Sequence, residues 1–329
     1  MTLRNWTALF LLGLLWGSSY LWIKIGVQEI GPFTLVALRL LIGAAALGAV
    51  LVARRQALPM TRAILAPLAV MGVTNTALPF ILISWGELTV DSAVASVLTG
   101  AAPLFVLILS HFFLDDERIT LPRLAGLLLG FAGVVILAGR SSSPVAPEVA
   151  GHASSLGAAP AAAAGGLDLG VLAIVAAVMS YAVSAVFARR TLRGVPHLVA
   201  AFVPLVIADS VSWIGAATLE APIEIPQAPL TWLAVVWLGL FGSCAAYLVY
   251  FYLIQNVGAT RTAQVAYLIA LVGVALGVVF LDERLDWRLA AGAVLVLGGI
   301  TVVSRFPAGR SKGRQLPASG SPASTISES

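Results

Sequence analysis

From about residue 5 to residue 305 the chain keeps returning to apolar runs of about twenty residues, separated by short polar connections. A helix needs roughly 20 mostly apolar residues to cross about 30 Å of hydrocarbon. A membrane β-barrel would instead show segments of about 10 residues with alternating polarity, and that pattern is absent. Only 10% of residues are charged, against about 25% in ordinary soluble domains. The sequence therefore predicts an all-α integral membrane protein. Ten transmembrane helices are expected, at roughly 5–28, 32–53, 65–86, 90–112, 121–139, 168–189, 197–219, 230–254, 260–280 and 287–305. Arg4 followed by an apolar run imitates a signal peptide, but the run continues to about Gln28 without a small-residue cleavage site, so a retained helix is expected.

The ten runs divide five and five. Residues 141–166 are rich in Ser, Pro, Ala and Gly and read as a flexible linker; residues 307–329 read as a disordered cytoplasmic tail. The expected organisation is a first five-helix repeat over 1–140, a linker over 141–167, a second repeat over 168–306 and the tail. "DERITLPRLAG" (116–126) aligns with "DERLDWRLAAG" (282–292) at an offset of 166, which also pairs Gly133 with Gly299. Gly72 pairs with Gly239 at 167, and Pro32 with Pro196 at 164. Ordered identities at a near-constant offset argue for a duplicated unit. With the N-terminus in the cytoplasm, fourteen of the nineteen Lys and Arg residues fall inside and three outside, while Lys24 and Arg39 lie within spans. That bias puts both termini in the cytoplasm and the linker outside. Five spans per half turn the second half over relative to the first, the inverted repeat of secondary transporters.

The stretches "WGSSYLWIKIG", "GPFTLVALRLLIGA" (31–44), "TGAAPLFVLILSHFFLDDERITLPRLAGLLLGFAGVVIL" (99–137) and "FLDERLDWRLAAGAVLVLGGI" (280–300) closely resemble the drug/metabolite transporter superfamily, EamA-type, over about residues 5–305. The resemblance implies ten helices, a central cavity between two five-helix halves, and movement of small metabolites, often amino acids and usually outward. It also implies a proline in the ninth helix, about fourteen residues before Glu283, as Pro103 precedes Glu117. Here that position is Ile269, so the kink expected of the ninth helix is in question.

"GLLWGSSYLWIKIG" (Gly13 to Gly26) places Gly13, Gly17, Tyr20 and Lys24 within about 60° of one another on a helix. A mid-span charge is costly. Lys24 either snorkels to the outer interface or reaches the cavity. Arg39, deeper in its span, is expected to face the cavity or to pair with an acid there. Asp209, near the middle of the seventh span, reads as a packing hydrogen bond, a protonatable coupling site or a partner for Arg39. In the third span Pro79 frees a carbonyl near Asn75, a break tolerated where protein or a water-filled cavity re-satisfies the backbone. Gly239, Gly242, Ser243, Ala246 and Tyr250 share a face of the eighth helix, and Gln264 and Tyr267 a face of the ninth. Each such face is either packing or part of a shared cavity. Candidate substrate-binding residues are thus Trp16, Tyr20, Lys24, Arg39, Asn75, Pro79, Tyr250, Gln264 and Tyr267, with Asp209 for coupling. Gly126, Gly130 and Gly133 read as a packing stripe. Glu117 and Glu283 read as capping residues or turn salt bridges with Arg118 and Arg284 before substrate contacts.

The rival classes find little support. His111, His152 and His197 have no metal-ligand spacing, Cys244 is the one cysteine, and no catalytic signature or Walker loop occurs. No metal, cofactor or nucleic acid is expected. The partners expected are a small-molecule substrate and the bilayer, with the chain as monomer or homodimer. A cavity with Tyr, Trp, Asn, one cation and one acid suits an amino acid or similar amphipathic zwitterion; a polyvalent anion would call for more cations.

Overall fold

The computed structural model describes residues 1–58, 61–114, 119–139, 168–192 and 194–306. The linker, the tail and the turn holding Glu117 and Arg118 lie outside the described residues. Those described are helical, without strands. Among the described residues nine helices are long and apolar enough to cross a membrane: α1 (Leu3–Gly26), α2 (Pro32–Ala53), α3 (Arg62–Gly86), α4 (Ser92–Phe113), α5 (Leu121–Ala138), α6 (Leu169–Thr191), α7 (His197–Leu219), α8 (Pro229–Val257) and α10 (Trp287–Arg305). The tenth expected span, α9 (Val265–Phe280), has 16 residues and is about 24 Å long at 1.5 Å per residue. A one-turn helix, Ala259–Thr262, leads into it.

The packing interleaves the two halves. Helix α5 lies on α10, α2 on α7 and α4 on α9; α1 packs on α9 as α6 packs on α4; α1 on α8 as α6 on α3; α2 on α8 as α7 on α3. Exchanging each helix of one half for its counterpart in the other returns the same set of contacts, so the fold carries an internal two-fold axis. The α5–α10 pair shows it at atomic scale. A Cβ on Gly126 would sit 2.9 Å from the Gly299 carbonyl, and one on Gly133 would sit 2.7 Å from the Gly292 carbonyl. Gly126 and Gly292 occupy equivalent places in the two copies, as do Gly133 and Gly299. These glycines let two backbones touch where apolar side chains gain little over lipid.

Helix breaks also recur. Helix α3 passes through a π-helical stretch at Gly72–Ala77, and α8 through one at Leu238–Ala245. Helix α4 breaks at Ala101, just before Pro103. Helix α9 runs straight through Ile269; the break on that side falls earlier, in the turn at residues 263–264. Without a proline to fix its place, the interruption has moved toward the helix start.

Gly133→Leu and Gly299→Leu should each lower the detergent-extracted yield and melting temperature severely, by a similar amount. Gly139→Leu, whose new Cβ would meet only its own helix at 3.7 Å, should be tolerated. Thermal unfolding of the three purified variants checks this.

Candidate functional site

Each π-helical stretch packs against the opposite half: that of α3 on α6 and α7, that of α8 on α1 and α2. A π turn breaks the regular i to i−4 ladder, and in hydrocarbon a freed carbonyl must find a donor within the protein. Two side chains supply it. Trp16 Nε1 of α1 donates to the Gly242 carbonyl at 3.2 Å, and Ser180 Oγ of α6 donates to the Thr74 carbonyl at 2.7 Å. Trp16 and Ser180 lie 164 apart, the offset that relates Pro32 to Pro196, so the same repair is made in both copies by different chemistry. Asn75 lies half-buried within the first π stretch, and buried Pro79 opens the regular helix that follows it.

Arg39 projects from α2 into this region and is 3% exposed. Its guanidinium lies over the Phe80 ring at 4.3 Å, a cation–π placement. Gly242 leaves room for it: a Cβ there would come within 3.5 Å of Arg39 Nη2. Arg39 Nε is buried without a partner, and the groups acting on the charge are Tyr181, Tyr247, Tyr20 and Glu87. Tyr181, Tyr247 and Tyr250 lie deep among the helices yet keep part of their surface uncovered, as cavity-lining side chains do. Trp16 stacks at a tilt on Tyr250, 5.4 Å between centroids, and meets Tyr247 edge-on at 6.2 Å. Arg39, Trp16, Tyr20 and Tyr250 thus stand together around the π stretches.

Other expected residues fall elsewhere. The pairing of Arg39 with Asp209 does not form: Asp209 is half-buried on the flank of α7, beside Trp213, with Oδ1 unpaired. Lys24 does not snorkel. Its ammonium turns inward and donates to the carbonyls of Glu87 at 2.6 Å and Val90 at 2.9 Å, bonding α1 to the α3–α4 turn. Gly13 and Gly17 do not line the cavity either, because Leu268 and Val272 of α9 pack against them. Gln264 is exposed in the turn before α9, and Tyr267 packs against the main apolar core.

Several carboxylates at one end of the bundle cap helix N-termini, three of them from the opposite half. Glu220 accepts from the Phe33 and Thr34 amides, both at 2.8 Å, at the start of α2. Glu283 accepts from the Ser92 and Ala93 amides at 2.6 and 2.9 Å at the start of α4; capping is its role, on another helix and not on Arg284. Glu29 accepts from the Gln227 and Ala228 amides before α8. Slight burial pushes the Glu29 carboxyl up, but bonds from Thr231, Gln227 and Ala228 outweigh it and hold the group below its ordinary value. Asp168 caps its own helix through the Gly170 amide and accepts from Thr89 Oγ1 at 3.0 Å. Each cap satisfies orphan amides and meets the positive end of a helix dipole.

The cross-half caps tie this end, the sealed end, and the covering of the turns differs between the two ends. The α3–α4 turn, Glu87 to Asp91, is wholly buried here, while its counterpart between α8 and α9 exposes Gln255, Asn256 and Gly258. Gly86 and Gly170 bring α3 and α6 into backbone contact at the sealed end.

Glu87 is the residue that sequence reasoning missed. It directly follows the last residue of α3, where an acid reads as an interfacial group. In the structure it is fully enclosed, and neither carboxyl oxygen has a hydrogen-bond partner.

The sequence matches the EamA-like transporter family over residues 5–139 and again over 168–305, once for each half of the fold. The chain belongs to the EamA-like transporter family. Among EamA-like relatives it is 30% identical to the uncharacterized inner membrane transporter YedA of Escherichia coli, over 91% of this chain and 90% of that one. It is 26% identical to a probable terminal-alkyne amino-acid exporter of Streptantibioticus cattleyicolor, over 94% and 96%. It is 25% identical to a probable amino-acid metabolite efflux pump of Salmonella typhimurium, over 87% and 90%. A solved crystal structure superposes with a TM-score of 0.62 at 25% identity, covering 92% of this chain and 96% of the other. The protein is therefore a multi-pass membrane transporter of the EamA-like kind.

If the caps seal this EamA-like bundle, removing one should loosen that end. Glu220→Ala should cost about 1 kcal/mol of capping. A cysteine at Ala37, fully buried just below the cap, should then react about fivefold faster with a membrane-impermeant thiol reagent added from the sealed side, in a Cys244→Ala background. An unchanged rate would show that this contact does not hold the end closed.

Proposed function

We propose that the protein is a secondary transporter that exports an amino acid or a similar amphipathic zwitterion by alternating access, with both termini in the cytoplasm and the sealed end outside. The observation that carries this reading is Arg39: a buried cation with its Nε unpartnered, held over Phe80 and ringed by tyrosines that keep uncovered surface. An arginine in such surroundings binds a carboxylate with two parallel charge-assisted hydrogen bonds, while Trp16, Tyr247 and Tyr250 offer an apolar wall to a side chain. A polyvalent anion fits less well, because the other cation within a span, Lys24, is committed to backbone carbonyls. The two amino-acid exporters among the relatives support the same class of cargo. Asp209 stays a candidate coupling residue on this reading, through its unpaired oxygen.

Arg39→Gln should insert at normal levels and reduce export on the order of 10–100-fold, the worth of a charged hydrogen bond of about 1.5–3 kcal/mol. An amino-acid export screen in cells expressing wild-type and variant protein measures this; export at the wild-type rate in the variant would remove Arg39 from the site. For orientation, Ser154→Cys in the linker should be labelled on intact cells by an impermeant thiol reagent. Labelling only after lysis would reverse the assignment of inside and outside.

A further inference from the structure

The carboxylates at the sealed end divide sharply. Glu29, Glu220, Glu283 and Asp168 each accept from one or more backbone amides. Glu87 accepts from none, although it is fully enclosed by protein. Packing does not account for it, since a buried carboxyl without a donor is among the costlier groups a fold can carry. Its ionisable surroundings are Lys24 and Tyr20 from α1, Arg39 from α2 and Glu283 from the α9–α10 turn. Asp91 and Asp168 lie one step further out and act on Lys24, as Tyr181 of α6 acts on Arg39. Lys24 reaches Glu87 through its backbone carbonyl and not its carboxyl. Among the described residues no three of these acids converge as ligands of a metal ion.

We propose that Glu87 is a proton-binding site, and that its protonation holds the sealed end shut. The neutral acid fits a closed enclosure in which no donor reaches the carboxyl oxygens. The carboxylate does not, and it is favoured only when water reaches it. The route to water is built into the same turn. Opening the sealed end would part the α3–α4 turn from α6, breaking the Thr89–Asp168 bond and the Gly86–Gly170 contact that hold the turn carrying Glu87. Opening thus releases a proton from Glu87 to the water on that side, and closing takes one up. On the transporter reading, which this inference presupposes only for its biological use, Glu87 also lies within electrostatic reach of Arg39. An ammonium group arriving from the other side with a carboxylate bound at Arg39 would replace the proton as the positive charge beside Glu87, the proton leaving to the side the substrate came from and a new one binding where the substrate departs, giving exchange of substrate for a proton.

The test needs no substrate, so it stands apart from the export screen. The reaction rate of Ala37→Cys from the sealed side is followed against pH in the Cys244→Ala background and normalised to Ser154→Cys. The normalised rate should rise as pH rises, with a limiting slope of tenfold per unit for one linked proton. In Glu87→Gln, which cannot titrate, it should be low and flat, while Glu87→Asp should restore a rise. The infrared spectrum of the purified protein should show a protonated-carboxyl band that Glu87→Gln abolishes, a readout that does not depend on opening. A pH-dependent rise that persists in Glu87→Gln, a flat wild-type profile, or loss of the rise in Asp209→Asn but not in Glu87→Gln would each overturn the proposal. So would an infrared band that Glu87→Gln leaves in place.

Discussion

Hydrocarbon gives a broken helix nothing to bond to, and the architecture follows from that constraint. A span departs from regular helix only where the protein itself can satisfy the freed backbone, so the breaks collect where helices from both halves meet. The π stretches of α3 and α8 lie there, with Trp16 and Ser180 as their donors. A departure from regular helix also re-aims nearby side chains and opens space beside the backbone. The place where the fold must repair itself is therefore the place where it can present Arg39, Asn75 and the tyrosines to a small molecule. Site and scaffold share one cause.

The same demand governs the helix ends. Four amides at each helix N-terminus lack an internal partner. At the sealed end, carboxylates from the opposite half meet this need at α2, α4 and α8. Contacts made across the halves can break together when the halves rock. Among the described residues, the carboxylate caps that cross between the halves stand at one end of a fold with internal two-fold symmetry, so the two ends are tied unequally. The buried α3–α4 turn and the exposed α8–α9 turn are one structural unit seen in both conditions.

How far the sequence spoke depended on whether a feature was periodic or spatial. Span length and the 166-residue offset predicted ten helices in two related halves, because hydrocarbon thickness and duplication act along the chain. The stripe Gly126, Gly130 and Gly133 was legible as packing for the same reason. Its partners, Gly292 and Gly299, lie on the opposite half, and alignment of the copies pointed to them. Helix faces were less informative. Gly13 and Gly17 share a face with Tyr20 and Lys24, but a face does not say whether lipid, cavity or α9 lies opposite. Glu87 was missed because one residue beyond the end of an apolar run usually means water. Nothing local reveals that Lys24, Asp168 and Glu283, from three other places in the chain, close over that turn. Arg39 stood out because a charge deep in a span has no ordinary excuse, whatever its neighbours.

The duplication copied the scaffold and the DER turn but not the central charges. At the near-constant offset between the halves, Lys24, Arg39 and Glu87 correspond to Ala188, Val203 and Ile254. The second half supplies surfaces instead: Gly242 to admit the guanidinium, Tyr181, Tyr247 and Tyr250 to surround it, and Glu283 to anchor the turn beside Glu87. Two sets of buried charges would repel each other and pay desolvation twice. One set, held by the first half and enclosed by the second, is what the proposed transport reading calls for: a single central site whose surroundings would change if the halves moved. On that reading symmetry would provide two states of similar packing, and the asymmetric charges would let a small ligand choose between them, since only a difference in interaction between the states can shift the balance.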